Sequence, residues 1–363
     1  MPTRREFLKT GAALGAFASV GQFPLRAERG ALHQQLSVEG WADRPMRWAN
    51  LTFVDNDPAD VDLDWWFDFY RRNHFDGLVL SIGGYIAYYP SQVPMHYVSP
   101  WLNGRDLIAE TIDRARAQNM AVIGRIDPHA VRADVATAHP DWLRRDPTGQ
   151  PYKHWIMPEL FITCAFGPMN NRYVPQIIEE IMGRYKIDGL FANRWNGSGM
   201  CYCEHCARQF REATGFALPG SDRTVPDSPG SDGIDWHLQT DDPAARAYVL
   251  WRRQKLLDLW DQWDAIVRRH NPHARFIPNM GPGLRKILDM SQFGERSIYL
   301  TADRQGRQFT QPPWTIGMAA KEFHAVLDGK PLGAGFSFGP YGRYRWMDST
   351  HGAPEIAIWT VDA

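Results

Sequence analysis

The sequence predicts an α/β fold, a (β/α)8 TIM barrel that lacks its eighth strand at the C-terminus. Short apolar runs alternate with amphipathic helical stretches from about residue 45 onward, which is typical of a parallel sheet with right-handed crossovers. The seven alternating units suit a barrel better than an open sheet. The chain has 363 residues, enough for one large domain, which we place at 45–363 after a signal peptide at 1–27.

The predicted strands are short, mostly apolar runs, and predicted helices separate them. In chain order the strands are Arg47–Val54, Gly77–Ile82, Met120–Ile126, Ile187–Asn193, Arg275–Asn279, Ser297–Ala302 and Leu332–Phe338. The helices are Val61–His74, Asp106–Gln118, Tyr173–Tyr185, Ala244–His270, Thr315–Leu327 and one that begins at Pro354. Long loops are predicted at Ala136–Cys164 in the third unit and at 219–240 in the fourth.

The sequence ends within the helix that follows the seventh predicted strand. We therefore expect the eighth strand, and any domain after it, to be missing. An incomplete barrel would expose a sheet edge and part of the core. This expectation implies either a truncated gene or fragment, or a partner that closes the gap.

Residues 1–27 predict a twin-arginine signal peptide. Arg4 and Arg5 stand in the pattern Thr-Arg-Arg-Glu-Phe-Leu-Lys, and a stretch of small apolar residues follows. That stretch is too short for a good transmembrane helix, so we expect no stable membrane insertion. Cleavage after Ala27 is favoured over cleavage after Ala18. The predicted location is periplasmic or secreted, after export of the folded protein from a bacterium; a chance arginine pair in an ordinary tail is the alternative.

The formal net charge of −1 gives no reason to expect nucleic acid or an anionic membrane as a partner. Aromatic residues are abundant, with 15 Trp, 13 Tyr and 18 Phe. They fit either a large core or a sugar-binding cleft, because indole faces stack on the apolar faces of pyranose rings. A carbohydrate is therefore the expected substrate, and a homo-oligomer is possible.

All four cysteines fit one metal site. Cys201, Cys203 and Cys206 form a C-x-C-x-x-C motif after the fourth predicted strand, and Cys164 lies upstream. Four thiolates are the ligands of a structural, tetrahedral zinc site with no open position for water. His205 is the alternative fourth ligand if Cys164 proves distant. Disulfides are the other interpretation in an oxidising periplasm, although the three clustered cysteines are too close for ordinary bridges.

Reactive groups of a barrel lie at the carboxyl ends of its strands. Glycoside hydrolysis needs two carboxyl groups, and we predict Asp127 and Asp303, at the ends of strands three and six, as the catalytic pair, with Asp303 as the acid. The alternative for each is a structural ion pair with a nearby arginine. Further polar and aromatic residues near the strand ends are candidates for substrate binding: Asp55, Tyr89, Arg125, His129, Asn193, Arg194, Trp195, Asn279, Arg304, Arg307 and Trp346.

The sequence resembles two groups of glycosidases. The cysteine motif with Cys164, and the segment that begins at Ala207, are similar to the zinc-binding region of glycoside hydrolase family 42 β-galactosidases. From about residue 45 to the end, the sequence more closely resembles a hypothetical glycosyl hydrolase family described as family 6-like or alpha-amylase-like. The shared segments are Tyr88–Ser91, Gly104–Leu107, His139–Trp142, Asp188–Phe191 and Asp303–Arg307. The resemblance implies a barrel, a zinc site with four cysteine ligands and hydrolysis of O-glycosidic bonds.

One departure limits what the resemblance implies. Family 42 enzymes end strand four with Asn-Glu, and that glutamate is the acid/base, whereas this chain has Asn193-Arg194. No glutamate ends the seventh predicted strand, where the nucleophile of that family stands. The barrel and the zinc site therefore carry over, but the mechanism does not. Arg194 suggests an anionic or highly oxygenated substrate, or else a structural ion pair.

Three functions are compatible with the sequence. We expect an exported glycoside hydrolase that acts on an oligo- or polysaccharide through Asp127 and Asp303. The main alternative is a non-catalytic carbohydrate-binding barrel that has lost the acid/base glutamate. A metal-dependent hydrolase such as a deacetylase would need a His/Asp cluster at the mouth, and His129 with Asp127 is too little to support it.

Overall fold

The computed structural model describes residues 41, 46–154, 157–197, 199–220, 241–280, 290–297, 300–303, 318, 321, 324, 325 and 332–335. Its strands, in chain order, are β1 Trp48–Leu51, β2 Gly77–Gly84, β3 Ala121–Asp127, β4 Ala130–Arg132, β5 Leu160–Ile162, β6 Gly189–Ala192, β7 Arg275–Met280, β8 Leu300–Asp303 and β9 Leu332–Gly335. Strands β4 and β5 form an antiparallel pair, and the other strands form one 7-stranded sheet in the order β1-β2-β3-β6-β7-β8-β9.

Every neighbouring pair in the large sheet is parallel. Because its strands are ordered as in the chain, the sheet has no switch point of the doubly wound kind and follows the winding of a (β/α) barrel. The α/β class and the parallel sheet are thus confirmed. Among the described strands, β1 and β9 each pair with one neighbour, so a closed barrel and a missing eighth strand stay predictions.

The helices of the described residues are α1 Asp57–Asp60, α2 Leu63–Arg72, α3 Leu107–Ala117, α4 Ala133–Ala138, α5 Val174–Arg184, α6 Glu204–Thr214, α7 Pro243–His270 and α8 Met290–Arg296. Asp62, Asp106 and Asp242 begin α2, α3 and α7, and each carboxylate accepts a hydrogen bond from a backbone N–H of the first turn. None of the described helices combines the length and apolarity needed to cross a lipid bilayer.

The core lies between the sheet and its helices. Leu78, Leu80 and Ile82 of β2 are fully buried, as expected for a strand with helices on its outer face. Helix α5 turns Ile177, Ile178 and Ile181 toward this core. The polar groups of β2 that can reach solvent therefore lie mainly at the ends of the strand. Candidate functional groups are expected there.

Several predictions from the sequence fall partly or wholly outside the described residues. The signal peptide at 1–27, and with it the export assignment, lies outside them, as does the helix that begins at Pro354. The described positions 318, 321, 324 and 325 are helical, in agreement with the helix predicted at Thr315–Leu327. The predicted loop Ala136–Cys164 contains β5 and part of α4, because its backbone pairs with β4 instead of remaining irregular.

The carboxyl end of β2 lies close to that of β3. The register shifts between Ser81 and Gly83, and Gly84 then takes φ +116, in the left-handed half of the Ramachandran plot. A Cβ atom at Gly84 would lie 2.4 Å from the carbonyl oxygen of Asp127. The next backbone N–H, that of Tyr85, donates to the same oxygen at 3.1 Å. Glycine is therefore needed for β2 to approach Asp127.

We expect Gly84→Ala to lower the free energy of unfolding by about 3 kcal/mol or more, because it combines a backbone clash with a disfavoured φ. Gly104→Ala is the matched control, since Gly104 has φ +81 but no atom within 4 Å of the new Cβ. Its cost should be about 1 kcal/mol. Urea unfolding followed by tryptophan fluorescence measures both values, and equal losses would contradict the close approach of the two strands.

Candidate functional site

A hydrogen-bonded network of side chains joins the carboxyl ends of β3, β6 and β7. The Asp127 carboxylate accepts from Arg125 Nε at 3.1 Å and from Arg125 Nη2 at 3.2 Å. Asn193 Nδ2 donates to the same carboxylate at 2.5 Å, and Asn193 Oδ1 accepts from Asn279 Nδ2 at 2.8 Å. The structure therefore brings together four of the predicted site residues.

The environment of Asp127 favours its ionised form. Burial alone would raise the pKa of this carboxyl, but the Arg125 guanidinium, His129 and the donated hydrogen bonds lower it overall. Asp127 and Arg125 form the ion pair that the sequence analysis gave as the structural alternative for Asp127. Both side chains are largely buried, with exposures of 13% for Asp127 and 20% for Arg125. A catalytic role for Asp127 stays a prediction, and the carboxylate is set up as an acceptor and not as a proton donor.

His154 lies beside His129, and sequence reasoning missed it. Their Nε2 atoms are 3.4 Å apart, and both rings are buried. Burial, with a contribution from the nearby Arg194 charge, lowers the pKa of His129 to about 3 and that of His154 to about 4. Both imidazoles are consequently neutral near pH 7. His154 lies in the predicted loop of the third unit, and no pattern there marks it as a partner of His129.

The protonation of His154 argues against a metal ion between the two histidines. The Met157 N–H donates to His154 Nδ1 at 3.1 Å, so this nitrogen carries no proton. A neutral His154 therefore carries its proton on Nε2, which faces His129, and that atom has no lone pair for a metal ion. Among the described residues, the four cysteines are the only group of three or more His, Cys, Asp or Glu side chains that lie close enough together to hold a metal ion. The metal-dependent hydrolase hypothesis gains no support here.

Two of the predicted substrate-binding residues are buried in the core. Trp195 is fully buried, packs edge-on against Trp260, and donates from Nε1 to the Asn279 carbonyl at 3.2 Å. Tyr89 is fully buried as well, and its hydroxyl donates to Glu180 of α5 at 2.7 Å. Both aromatic rings are thus occupied by protein contacts and present no face for a sugar.

Three further predicted residues lie at or just after strand ends, and three lie outside the described residues. Arg194 follows Asn193 with φ +50, in the left-handed region. Asp55 follows β1, and its Oδ2 accepts from the Tyr97 hydroxyl at 3.0 Å. Asp303 is the last residue of β8, at the carboxyl edge where it was predicted. Arg304, Arg307 and Trp346 lie outside the described residues.

A relay of side chains behind β2 was not predicted. The Gly84 N–H donates to His96 Nε2 at 3.3 Å, so His96 carries its proton on Nδ1, which lies 2.9 Å from Ser91 Oγ. Ser91 in turn donates to Glu180 at 2.5 Å. The relay fixes the end of β2 next to Asp127. No sequence signal links Glu180 to His96, because the two residues belong to different β/α units.

The four cysteines form one buried cluster. All four sulfur atoms lie within 4.8 Å of one another, and the pairs that Cys164 makes with Cys206 and Cys203 are 3.4 and 3.6 Å apart. A disulfide needs about 2.05 Å, whereas thiolates about 2.3 Å from a tetrahedral ion stand about 3.8 Å apart. The cluster could therefore bind a metal ion. His205 is not needed as a ligand, and its Nε2 lies 3.8 Å from the Asp141 carboxylate.

Two buried arginines hold the loop between Asn193 and the cysteine motif. Arg252 of α7 donates to the carbonyls of Asn196 at 2.9 Å and Gly199 at 3.1 Å. Arg144 donates from Nε to the Met200 carbonyl at 2.9 Å. These bonds satisfy carbonyls that would otherwise be buried without a donor. The loop therefore has a fixed path from the polar network to the cysteines.

Comparison with protein families supports the resemblance. Residues 67–194 match the family model described as hypothetical glycosyl hydrolase 6. The matched segment contains β2, β3 and β6 and ends at Arg194, so it includes most of the polar network. The resemblance predicted from the sequence is confirmed over this segment. A comparison with curated proteins gives no match.

Solved structures of glycosidases share the fold at low identity. An alpha-L-fucosidase isoenzyme 2 from Paenibacillus thiaminolyticus is 15% identical, with a TM-score of 0.52 and coverage of 88% of this chain and 48% of its own. A β-galactosidase from the psychrophilic Marinomonas ef1 is 12% identical, with a TM-score of 0.56 and coverage of 87% and 51%. A family 42 β-galactosidase from G. stearothermophilus is 12% identical, with a TM-score of 0.50 and coverage of 77% and 44%. This chain thus spans about half the length of these relatives, and the likeness shows the fold alone.

We expect the free energy of unfolding to fall as the pH falls from about 6.5 toward 4. Burial lowers the pKa of His96 to about 4 in the folded protein, whereas the unfolded chain protonates near 6.5. The unfolded state therefore binds more protons in this window, which costs on the order of 2–3 kcal/mol at pH 4 for this residue. His129 and His154 act in the same direction.

Urea unfolding of the wild type and of His96→Gln at pH 7, 5.5 and 4.5 measures this effect. The glutamine variant cannot titrate and should lose less stability between pH 7 and 4.5. An identical pH dependence in both proteins would contradict a neutral, buried His96.

Proposed function

We propose that this protein is a glycoside hydrolase that acts on an oligo- or polysaccharide at the carboxyl ends of its strands. The observation that carries the proposal is the match of residues 67–194 to a glycosyl hydrolase family model, because that segment contains Asp127 and Asn193. The similar solved structures are a fucosidase and β-galactosidases, and they support a glycosidase-like function at low identity.

The two predicted carboxylates would have different roles. Asp127 is held ionised by Arg125 and Asn193, which suits a nucleophile, a base or a group that stabilises positive charge on the sugar ring. Asp303 ends β8 and would supply the proton to the leaving group. Because Arg194, and not a glutamate, follows Asn193, the proposal assigns the reaction to this pair instead of the pair of the family 42 enzymes.

A carbohydrate-binding barrel without turnover is the second candidate. The observation in its favour is that Asp127 is fully engaged by Arg125 and Asn193, as a structural carboxylate would be. In that case the polar network would bind sugar hydroxyls but would leave the glycosidic bond intact.

We further propose that the cysteine cluster holds a structural zinc ion and that the chain is exported. Four thiolates would complete a tetrahedral coordination sphere and leave no position for substrate water. Through Cys164, the zinc would connect the segment Ala136–Cys164 of the third unit to the start of α6. Export rests on the twin-arginine pattern at Arg4 and Arg5, which directs folded proteins with a bound metal to the periplasm or beyond.

A screen of the protein against aryl glycosides and polysaccharides tests the proposed activity. On a substrate that is turned over, Asp127→Asn and Asp303→Asn should each lower kcat on the order of 10²–10⁴-fold with substrate binding retained. Asp188→Asn is the matched control, since Asp188 pairs with Arg116 at 2.8 Å but lies before β6, at the amino edge of the sheet. It should leave kcat of the folded protein unchanged.

The outcomes of that screen separate the candidates. Sugar binding without turnover, with affinity that changes in the Asp127 variant, would support the binding barrel. Turnover that neither Asp127→Asn nor Asp303→Asn affects would contradict the carboxylate pair.

Metal analysis of the purified protein should give about one zinc ion per chain. Cys164→Ser should lower the zinc content and destabilise the fold by about 3 kcal/mol or more, because the buried site loses one of its four thiolate ligands. His205→Ala should retain the zinc, since this histidine lies next to the motif but pairs with Asp141. A metal-free protein with disulfide bonds would contradict the site.

A further inference from the structure

Three large apolar side chains are exposed on the loops that follow β1 and β2. Val54, Met95 and Trp101 have exposures of 38%, 44% and 48%. We call this group the apolar rim. Scattered apolar residues on a surface are ordinary, but a group of them on the side of a sheet that carries the polar network needs an explanation.

The members of the apolar rim are sequence neighbours of Asp55 and of the two residues that bond to it. Ser99 Oγ donates to the Asp55 carbonyl at 2.6 Å, and the Tyr97 hydroxyl donates to Asp55 Oδ2 at 3.0 Å. Val54 precedes Asp55 in the chain, Met95 lies two residues before Tyr97, and Trp101 lies two residues after Ser99. These two hydrogen bonds therefore join the two loops that carry the three exposed side chains.

Trp101 stands on a short, well-anchored 3-10 helix, Pro100–Leu102. Its backbone N–H donates to Ser99 Oγ at 3.3 Å, and the next side chain, Leu102, is buried with an exposure of 2%. Asn103 ends the turn in the left-handed conformation. Met95 also has a left-handed φ of +63, which is uncommon for a large side chain. The fold thus anchors the backbone that carries the exposed indole.

Backbone hydrogen bonds connect the apolar rim to the end of β3. The Tyr85 N–H donates to the Asp127 carbonyl, the Ala87 N–H to the Tyr97 carbonyl at 2.7 Å, and the Ser99 N–H to the Ala87 carbonyl at 3.0 Å. The guanidinium of Arg132, which ends β4, lies 3.9 Å from the centre of the Tyr97 ring. These hydrogen bonds therefore link the segments that carry the rim to the end of β3, on the side of the sheet where its strands end.

We propose that Trp101 is the stacking platform of an outer sugar subsite, which takes a pyranose unit of a chain that extends from the polar network at Asp127. An exposed indole face matches the apolar face of a pyranose ring, and the Arg132 guanidinium beside Tyr97 would supply donors for hydroxyl groups of the sugar chain. The inference rests on the proposed function and makes it more specific. The preferred ligand is an extended oligo- or polysaccharide, and a disaccharide is too short to reach Trp101.

Affinity gel electrophoresis with xylan, galactan and polygalacturonate identifies a polysaccharide that retards the wild type, and calorimetry then compares its hexasaccharide and disaccharide. Trp101→Ala should bind the hexasaccharide about tenfold more weakly, the effect of one aromatic stacking contact. Its affinity for the disaccharide should change less than twofold. Trp65→Ala is the matched control, because Trp65 is 51% exposed but lies on α2 with its ring stacked on Phe69, and not on the loop that carries Trp101.

The experiment distinguishes failure of the subsite from failure of the proposed function. A Trp101→Ala variant that binds the hexasaccharide as the wild type does, or a Trp65→Ala variant that loses as much, overturns the subsite alone. Unchanged saccharide binding together with altered self-association in Trp101→Ala assigns the rim to a protein contact and overturns the subsite as well. A wild type that neither binds nor cleaves any of these saccharides overturns both proposals.

Discussion

The site depends on how the Asp127 carboxylate is satisfied. An ionised carboxylate that is largely withdrawn from water is stable only if charged or polar donors surround it. Arg125 comes from the same strand, while Asn193 follows β6, so the carboxylate joins β3 to β6, and Asn279 extends the connection to β7. Parallel register places these residues at one edge, because the strands all end on the same side of the sheet. The polar network is therefore a direct consequence of the strand order.

The polar network and the cysteine cluster share one loop. Its first residue, Asn193, bonds to Asp127, and its end carries Cys201, Cys203 and Cys206. Between these anchors, Arg252 satisfies carbonyls of the loop from α7. A metal ion at the cysteines would therefore act on the site only through the position of this loop.

The sequence was sufficient to predict the seven strands of the large sheet, their parallel order and the composition of the cysteine cluster, because apolar periodicity and cysteine spacing are local signals. It also predicted which polar residues end the strands. It missed the short antiparallel pair of β4 and β5. The sequence could not predict which individual aromatic rings are buried. Tyr89 and Trp195 satisfy their polar atoms with the Glu180 carboxylate and the Asn279 carbonyl, which are distant in the sequence. The His96 relay and the approach of His154 to His129 likewise depend on contacts between units that are far apart in the sequence.

The electrostatics of the site sharpen the choice between hydrolysis and binding. Cleavage of a glycosidic bond needs a group that delivers a proton near neutral pH. Asp127 is held ionised, and His129 and His154, with pKa values near 3 and 4, are already deprotonated at that pH. None of these three groups can therefore protonate a leaving group. Among the predicted site residues, the proposal therefore assigns the proton to Asp303, at the end of β8. Replacing that carboxyl group separates the two proposed functions, because only a hydrolase needs it for turnover.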